Sequence, residues 1–267
     1  MRVILLIPAV LSFVLSSLAA FEAEGRRGSS AFFPVPGDIA SGTERFRLTD
    51  LKTNETADIT TVRSIEDGEI TQRAITQWKD GSIQEEVAVM AMSASLMPRS
   101  YTKQVRDEQG NTSLETRVQF DVPRKLATIV HRSGKGDVSE SMEVPAGCYV
   151  PMMTWAALQG VTFAPGQRYG FHILALISAP KIYRMEIKVL GTEQINVPSG
   201  SFDCYKMEMK HNFGRFRNLF ADRVAPRTYF WYEATPPHQF VKYQGVSYSD
   251  SRKTVIYELV ESIAPSP

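Results

Sequence analysis

The segment ADITTVRSIEDGEITQRAITQWKDG, residues 57–81, contains two alternating runs joined at Asp67-Gly68 and a further turn signal at Asp80-Gly81. Asp-Gly between such runs is a strong hairpin signal, because a tight two-residue turn needs residues that tolerate positive φ. The same punctuation recurs at Gln109-Gly110-Asn111, Gly134-Lys135-Gly136 and Leu190-Gly191-Thr192. Each lies between runs rich in β-branched, aromatic or alternating residues. A chain that turns back on itself this often builds a long antiparallel meander.

Working outward, alternation predicts strands over 45–51, 57–65, 69–78, 82–93, 101–106, 114–120, 126–132 and 138–144. Residues 87–92 are apolar on both faces, as in a strand that is covered on both sides. The pattern breaks at Pro145-Ala146-Gly147-Cys148-Tyr149. Residues 150–159 read as a helix, with Pro151 in its first turn and Gly160 at its end. Only Thr154 and Gln159 are polar there, so the helix should be buried, most simply on the concave side of a curved sheet. Strands resume over 168–177, 182–197, 202–211, 228–232, 240–248 and 254–263, with a less regular stretch at 212–226. The fold class expected is mostly β: one large curved antiparallel meander sheet, a half-barrel or open barrel, enclosing one apolar helix near 150–159.

The N-terminus has the three parts of a secretory signal peptide. Met1-Arg2 is positive, residues 3–14 are almost uniformly apolar, and Ser16-Ser17-Leu18-Ala19-Ala20 supplies small residues for cleavage. The apolar run is short of the ~20 residues that span a bilayer. No Cys follows it to accept a lipid. The expected organisation is a signal peptide at 1–20, a flexible leader at 21–43, one β-rich domain at 44–263 and a tail at 264–267. Within the leader, residues 32–36 are apolar enough to tuck against the domain. The location expected is periplasmic or secreted, with no stable membrane span once the signal is removed.

Thirty basic and 29 acidic residues are spread along the chain for a net charge of +1. This argues against a nucleic-acid partner, which needs a basic patch. His131, His172, His211 and His238 show no metal-ligand spacing, so no metal is expected. Pro198-Ser199-Gly200-Ser201 reads as a structural turn, since it lacks the Gly-x-Ser-x-Gly pattern of a nucleophile elbow. Glu85 and Glu86 point to opposite faces of one strand, with one of them available to the interior. No phosphate-cradling loop or other cofactor motif is present. The chain reads as a non-enzyme without a cofactor.

Cys148 and Cys204 are either a disulfide pair, suited to an exported protein, or two separate buried thiols. Met90, Met92, Met152, Met153, Trp155, Phe171 and Trp231 are the candidate lining of an apolar ligand cavity, Met being adaptable to varied shapes. Plain core packing would use the same residues.

The second half also carries a resemblance. Val197-Pro198-Ser199-Gly200-Ser201-Phe202-Asp203-Cys204-Tyr205 is followed by Tyr229-Phe230-Trp231-Tyr232 and then Phe240-Val241-Lys242-Tyr243. This resembles a family of exported bacterial proteins that is known only as a domain of unknown function. The likeness is strongest over 187–261. That family's fold looks related to LolA and LolB, periplasmic lipoprotein carriers in which a curved sheet wraps helices around an apolar cavity. The resemblance implies the fold and an exported envelope protein, not a carrier function; it is the all-apolar helix beside a wall rich in Met and aromatics that points to a lipid or acylated partner. The expected function is a non-enzymatic binder of an apolar or lipid-like ligand in the concave face. The alternative is a structural or protein-interaction module with a filled core.

Overall fold

The computed structural model describes residues 33–35, 37, 39–134, 136–176, 179–211, 227–247 and 253–263. Among them are 15 strands in a single sheet. The first eight form an unbroken antiparallel meander: β1 (Gly42–Asp50), β2 (Thr56–Glu66), β3 (Glu69–Trp78), β4 (Ile83–Met92), β5 (Leu96–Arg106), β6 (Thr112–Asp121), β7 (Leu126–Ser133) and β8 (Gly136–Glu143). A two-residue strand, β9 (Cys148–Tyr149), leads into helix α1 (Met153–Ala157) and a 3-10 turn at Leu158–Gly160. The second meander comprises β10 (Arg168–Ala175), β11 (Lys181–Val197), β12 (Gly200–His211), β13 (Thr228–Glu233), β14 (Phe240–Val246) and β15 (Thr254–Ile263).

The two meanders join where β1 pairs antiparallel with β15, from Thr43↔Ile263 to Asp50↔Val255. This leaves β8 and β9 at opposite edges of the sheet. Yet only residues 144–147 separate those two strands in the chain. Extended chain of that length reaches at most roughly 17 Å. The sheet must therefore curl until its edges nearly meet, giving an open barrel. Tyr149 shows the approach directly: its hydroxyl, on β9, donates to the Leu96 carbonyl on β5 at 2.8 Å.

Turn chemistry sets the register. Asp67 and Gly68 have φ of 49° and 75°, as a tight turn between Glu66 and Glu69 requires. Leu190-Gly191-Thr192 differs from expectation. It is no turn but a β-bulge inside the long strand β11, where the register shifts between Val189 and Gly191. Glycine accommodates the local kink, and the strand runs on to Val197. Residues 96–100 also belong to β5, and the predicted strand there begins too late. In the fold Pro98 lies beside a bulge, where a missing N–H is tolerated. The expected strand stretch at 177 and at 248, the stretch 212–226, the signal peptide and the tail lie outside the described residues.

The helix is shorter than the predicted 150–159. Its entry is a tight turn in which Met153, Thr154 and Trp155 donate to Val150, Pro151 and Met152, three residues back. All five residues of α1 are buried. The described part of the leader reaches the same core: Phe33 is buried, donates its N–H to the Tyr149 hydroxyl at 2.8 Å and contacts the Phe171 ring, and Val35 and Ile39 pack against the core half-buried.

Candidate functional site

Trp155 is the centre of the packed interior. Its ring stacks on Phe240 with centroids 5.0 Å apart, and meets Phe46 and Tyr257 edge-on at 5.9 and 5.7 Å. The Tyr232 hydroxyl donates to the Trp155 carbonyl at 3.1 Å. Met90, Met153 and Phe171 are fully buried in this core, Met152 almost so, and Met92 is half-buried at its margin. Trp231 is buried in the same contiguous cluster but points the other way. Strand alternation puts it on the convex face, between Lys206 and Lys242. There its indole N–H donates to Glu193 at 2.7 Å, and both lysine ammonium groups lie over the ring. The structure therefore separates Trp231 from the interior set.

The space left beside Trp155 and Met152 is ≈ 30 Å³, bounded on the sheet side by Thr76, Gln84 and Glu86. Glu86 is the inward member of the Glu85-Glu86 pair. It accepts from the Tyr101 hydroxyl and from the Gln84 amide. Glu85 faces outward to Arg73 at 2.8 Å. Burial and the Glu86 charge hold the Tyr101 hydroxyl well above its ordinary pKa, so it stays a donor.

A larger space opens where the inward faces of β1 and β2 turn polar. Along β2 the inward positions are Ala57, Ile59, Thr61 and Arg63; along β1 they are Leu48, Phe46 and Glu44. Thr61 pairs across the strands with Glu44, and Arg63 with Gln72 on β3. Glu44, Thr61 and Arg63, with Gln159 of the 3-10 turn, Pro237 and Gln239, line a cleft of ≈ 280 Å³. Arg63 is 8% exposed and its Nε has no hydrogen-bond partner. Thr61 Oγ1 and Gln159 Oε1, also buried, are unpartnered too. Burial pushes the Glu44 carboxyl up, while the Arg63 charge and the Gln239 amide pull the other way. The sequence holds a signal for this site that the search for motifs passes over. Alternation from Ala57 and Ile59 already places Thr61 and Arg63 on the inward face.

A third space, of ≈ 170 Å³, lies on the far side of the barrel against Thr116, His131, Val138 and Leu176. Val138, on the edge strand β8, is 58% exposed.

The remaining sequence candidates have structural settings. Ser199 Oγ donates to the Leu259 carbonyl at 3.0 Å, which ties the β11–β12 turn to β15. Cys148 and Cys204 are two separate buried thiols, not a disulfide. Cys148 stands beside His172, which pairs with Arg184 on β11, whereas Cys204 pairs with Glu193, nine residues further along that strand; the two are much too far apart to bridge. Burial pushes each thiol up to about 12, so neither is a ready nucleophile. Among the described residues no group of three or more His, Cys, Asp or Glu side chains is placed to hold a metal ion.

Comparison with known proteins bears on the fold and the family. A β-barrel-like protein of domain of unknown function DUF1849 from Brucella abortus superposes with a TM-score of 0.51 at 9% identity, over 89% of this chain and 100% of that one. The hypothetical lipoprotein YmcC from Escherichia coli K12 gives a TM-score of 0.35 at 11% identity, covering 86% of each chain. A putative exported protein with a YmcC-like fold from Bacteroides fragilis gives 0.30 at 10% identity, over 87% of this chain and 99% of that one. The first of these shares the barrel-like architecture. No curated protein matches the sequence. The model of the family described as "Protein of unknown function (DUF3108)" matches residues 38–248, and this chain belongs to that family.

Proposed function

We propose that this chain is an exported, non-enzymatic binding protein of the cell envelope, with its ligand held on the concave side of the sheet beside the helix. The observation that carries this reading is the ≈ 280 Å³ cleft whose buried polar side chains lack partners. A core that served packing alone would satisfy such groups or replace them with apolar ones. The tripartite pattern of residues 1–20 supports export.

A lipid-like ligand, as in the comparison with LolA and LolB, enters this scheme with its polar end in the cleft. Its apolar part would then have to displace α1, because the space beside Trp155 is about the size of one water. The tight aromatic packing around Trp155 favours the second reading, a structural or protein-interaction module with a filled core.

Native mass spectrometry of protein purified gently from its own envelope separates the two. An added small-molecule mass that disappears on denaturation is the expected result. A bare polypeptide mass, from protein that also fails to take up a fluorescent fatty acid, would overturn the binding reading and leave the interaction module.

A further inference from the structure

We infer that Arg63 is an anion receptor, and that the cleft takes a compact ligand bearing one carboxylate together with hydroxyl or ammonium donors. This deepens the reading of the cleft as the binding site and rests on it.

The argument begins with the guanidinium. Arg63 is more than nine-tenths buried, projects from the inward face of β2 and lines the cleft. No hydrogen bond engages its Nε, and no carboxylate of the described residues pairs with it within ion-pair distance; Glu44 acts on it only through the longer-range field. A buried donor left without a partner is costly, and protein interiors avoid it unless the group has a use. The rung beside it is no better satisfied: Gln72, opposite Arg63 on β3, is fully buried with both amide atoms unpartnered.

The other walls define the rest of the ligand. Gln159 donates its Nε2 to the His238 carbonyl at 3.2 Å, which fixes the amide and presents Oε1 as a free acceptor. Thr61 Oγ1 is free to donate or accept. Glu44 stands across the strand pair from Thr61 and supplies acceptors. An anion that brought no donors would meet Glu44 and Gln159 Oε1 with repulsion alone. A ligand with a carboxylate for Arg63 and O–H or N–H groups for Glu44, Thr61 and Gln159 satisfies all four. A dianion such as a phosphate monoester is disfavoured, because among the described lining residues Arg63 is the one cation set against its two charges. The two common sources of this chemistry are sugar acids and α-amino acids.

The test uses the purified protein and three probes at millimolar concentration: D-glucuronate, L-serine and D-glucose. Isothermal titration calorimetry and thermal unfolding read binding. One of the two carboxylates should bind and raise the unfolding midpoint, while glucose does neither. Glucuronate as the binder assigns a sugar acid, serine an amino acid. Arg63→Met should weaken that binding by at least about tenfold, the factor expected for losing a charge-assisted contact.

The same variant without ligand supplies the second readout. If Arg63 is held for a ligand, its replacement by an apolar side chain of similar length should raise the midpoint, by about 2–4 °C. A lowered midpoint would make Arg63 a structural residue and overturn the inference. So would failure of both carboxylates to bind, or equal binding by the variant. A native small-molecule adduct retained equally by wild type and Arg63→Met would sink this inference and leave the binding-protein reading standing.

Discussion

The two ends of β1 and β2 share one inward face and do opposite things with it. Toward one end, Phe46, Leu48, Ala57 and Ile59 close on Trp155, Phe240 and Tyr257, and almost no space remains. Toward the other, Glu44, Thr61 and Arg63 border an open cleft and leave hydrogen-bonding groups idle. One strand pair thus contributes stability at one end and unsatisfied polarity at the other. The change occurs within two residues along each strand. Such adjacency lets a packed core hold a polar site rigid, because the strand that presents Arg63 is fixed four residues away, at Ile59, by packing beside Phe46.

The comparison breaks most sharply at Trp155. Trp155→Ala should destabilise the protein by about 3–5 kcal/mol, the range for truncating a large buried aromatic. Urea unfolding measures it through the midpoint. Arg63→Met should move stability the other way, so the two variants should bracket the wild type. A Trp155→Ala loss under about 1 kcal/mol would mean that α1 is loosely seated and that the filled end is not filled.

A smaller effect is expected where the leader joins the packed end. The Tyr149 hydroxyl accepts from the Phe33 N–H and donates to the Leu96 carbonyl, both at 2.8 Å. Tyr149→Phe leaves two buried backbone groups without partners, at a cost of about 1–3 kcal/mol. Limited proteolysis near residue 33 should quicken in parallel with the fall in thermal midpoint. An unchanged cleavage rate would show that ring packing alone holds Phe33.

The smallest effect is a pH dependence. Burial, aided by the charge of Arg184 paired across the strands, holds the His172 imidazole below its ordinary value. The unfolded chain therefore takes up a proton at a higher pH than the folded one. The contribution of His172 is fully present above the unfolded value of about 6.5 and is lost as pH falls toward the folded value. His211 is shifted in the same direction by burial and adds to the same slope. His172→Gln should flatten the decline in stability as pH falls below about 6.5. A slope identical to wild type would assign the acid sensitivity to other groups.

Local signals carried much of this architecture in the sequence. Strand β3 runs over the residues that alternation marks, and Asp67-Gly68 makes the turn its composition demands. The errors came where local pattern and tertiary setting diverge. Leu190-Gly191-Thr192 has turn composition, but its neighbours on both sides continue to pair with β12. Residues 228–232 are aromatic at both parities, so alternation alone could not say that Trp231 faces outward while Phe230 and Tyr232 face in. For the cleft, parity reveals that Arg63 points inward. Whether it finds a partner there depends on residues as distant in sequence as Gln159 and Gln239, which no local pattern encodes.

The seam between β1 and β15 has a consequence for the order of assembly. Every other antiparallel pairing in the sheet joins strands that are consecutive in the chain, and so forms from nearby segments. The seam alone brings together the first and last strands, Gly42–Asp50 and Thr254–Ile263. Contacts this far apart in sequence are slow to form. A chain emerging N-terminus first could build eight strands as successive hairpins, yet β1 would keep an unpaired edge until the last strand arrived. That edge is the segment most open to wrong pairing during folding. The residues of β1 that face inward beside it, Phe46 and Glu44, are the same ones that separate core from cleft. The border between the two ends of the molecule is thus completed by the final strand to be delivered.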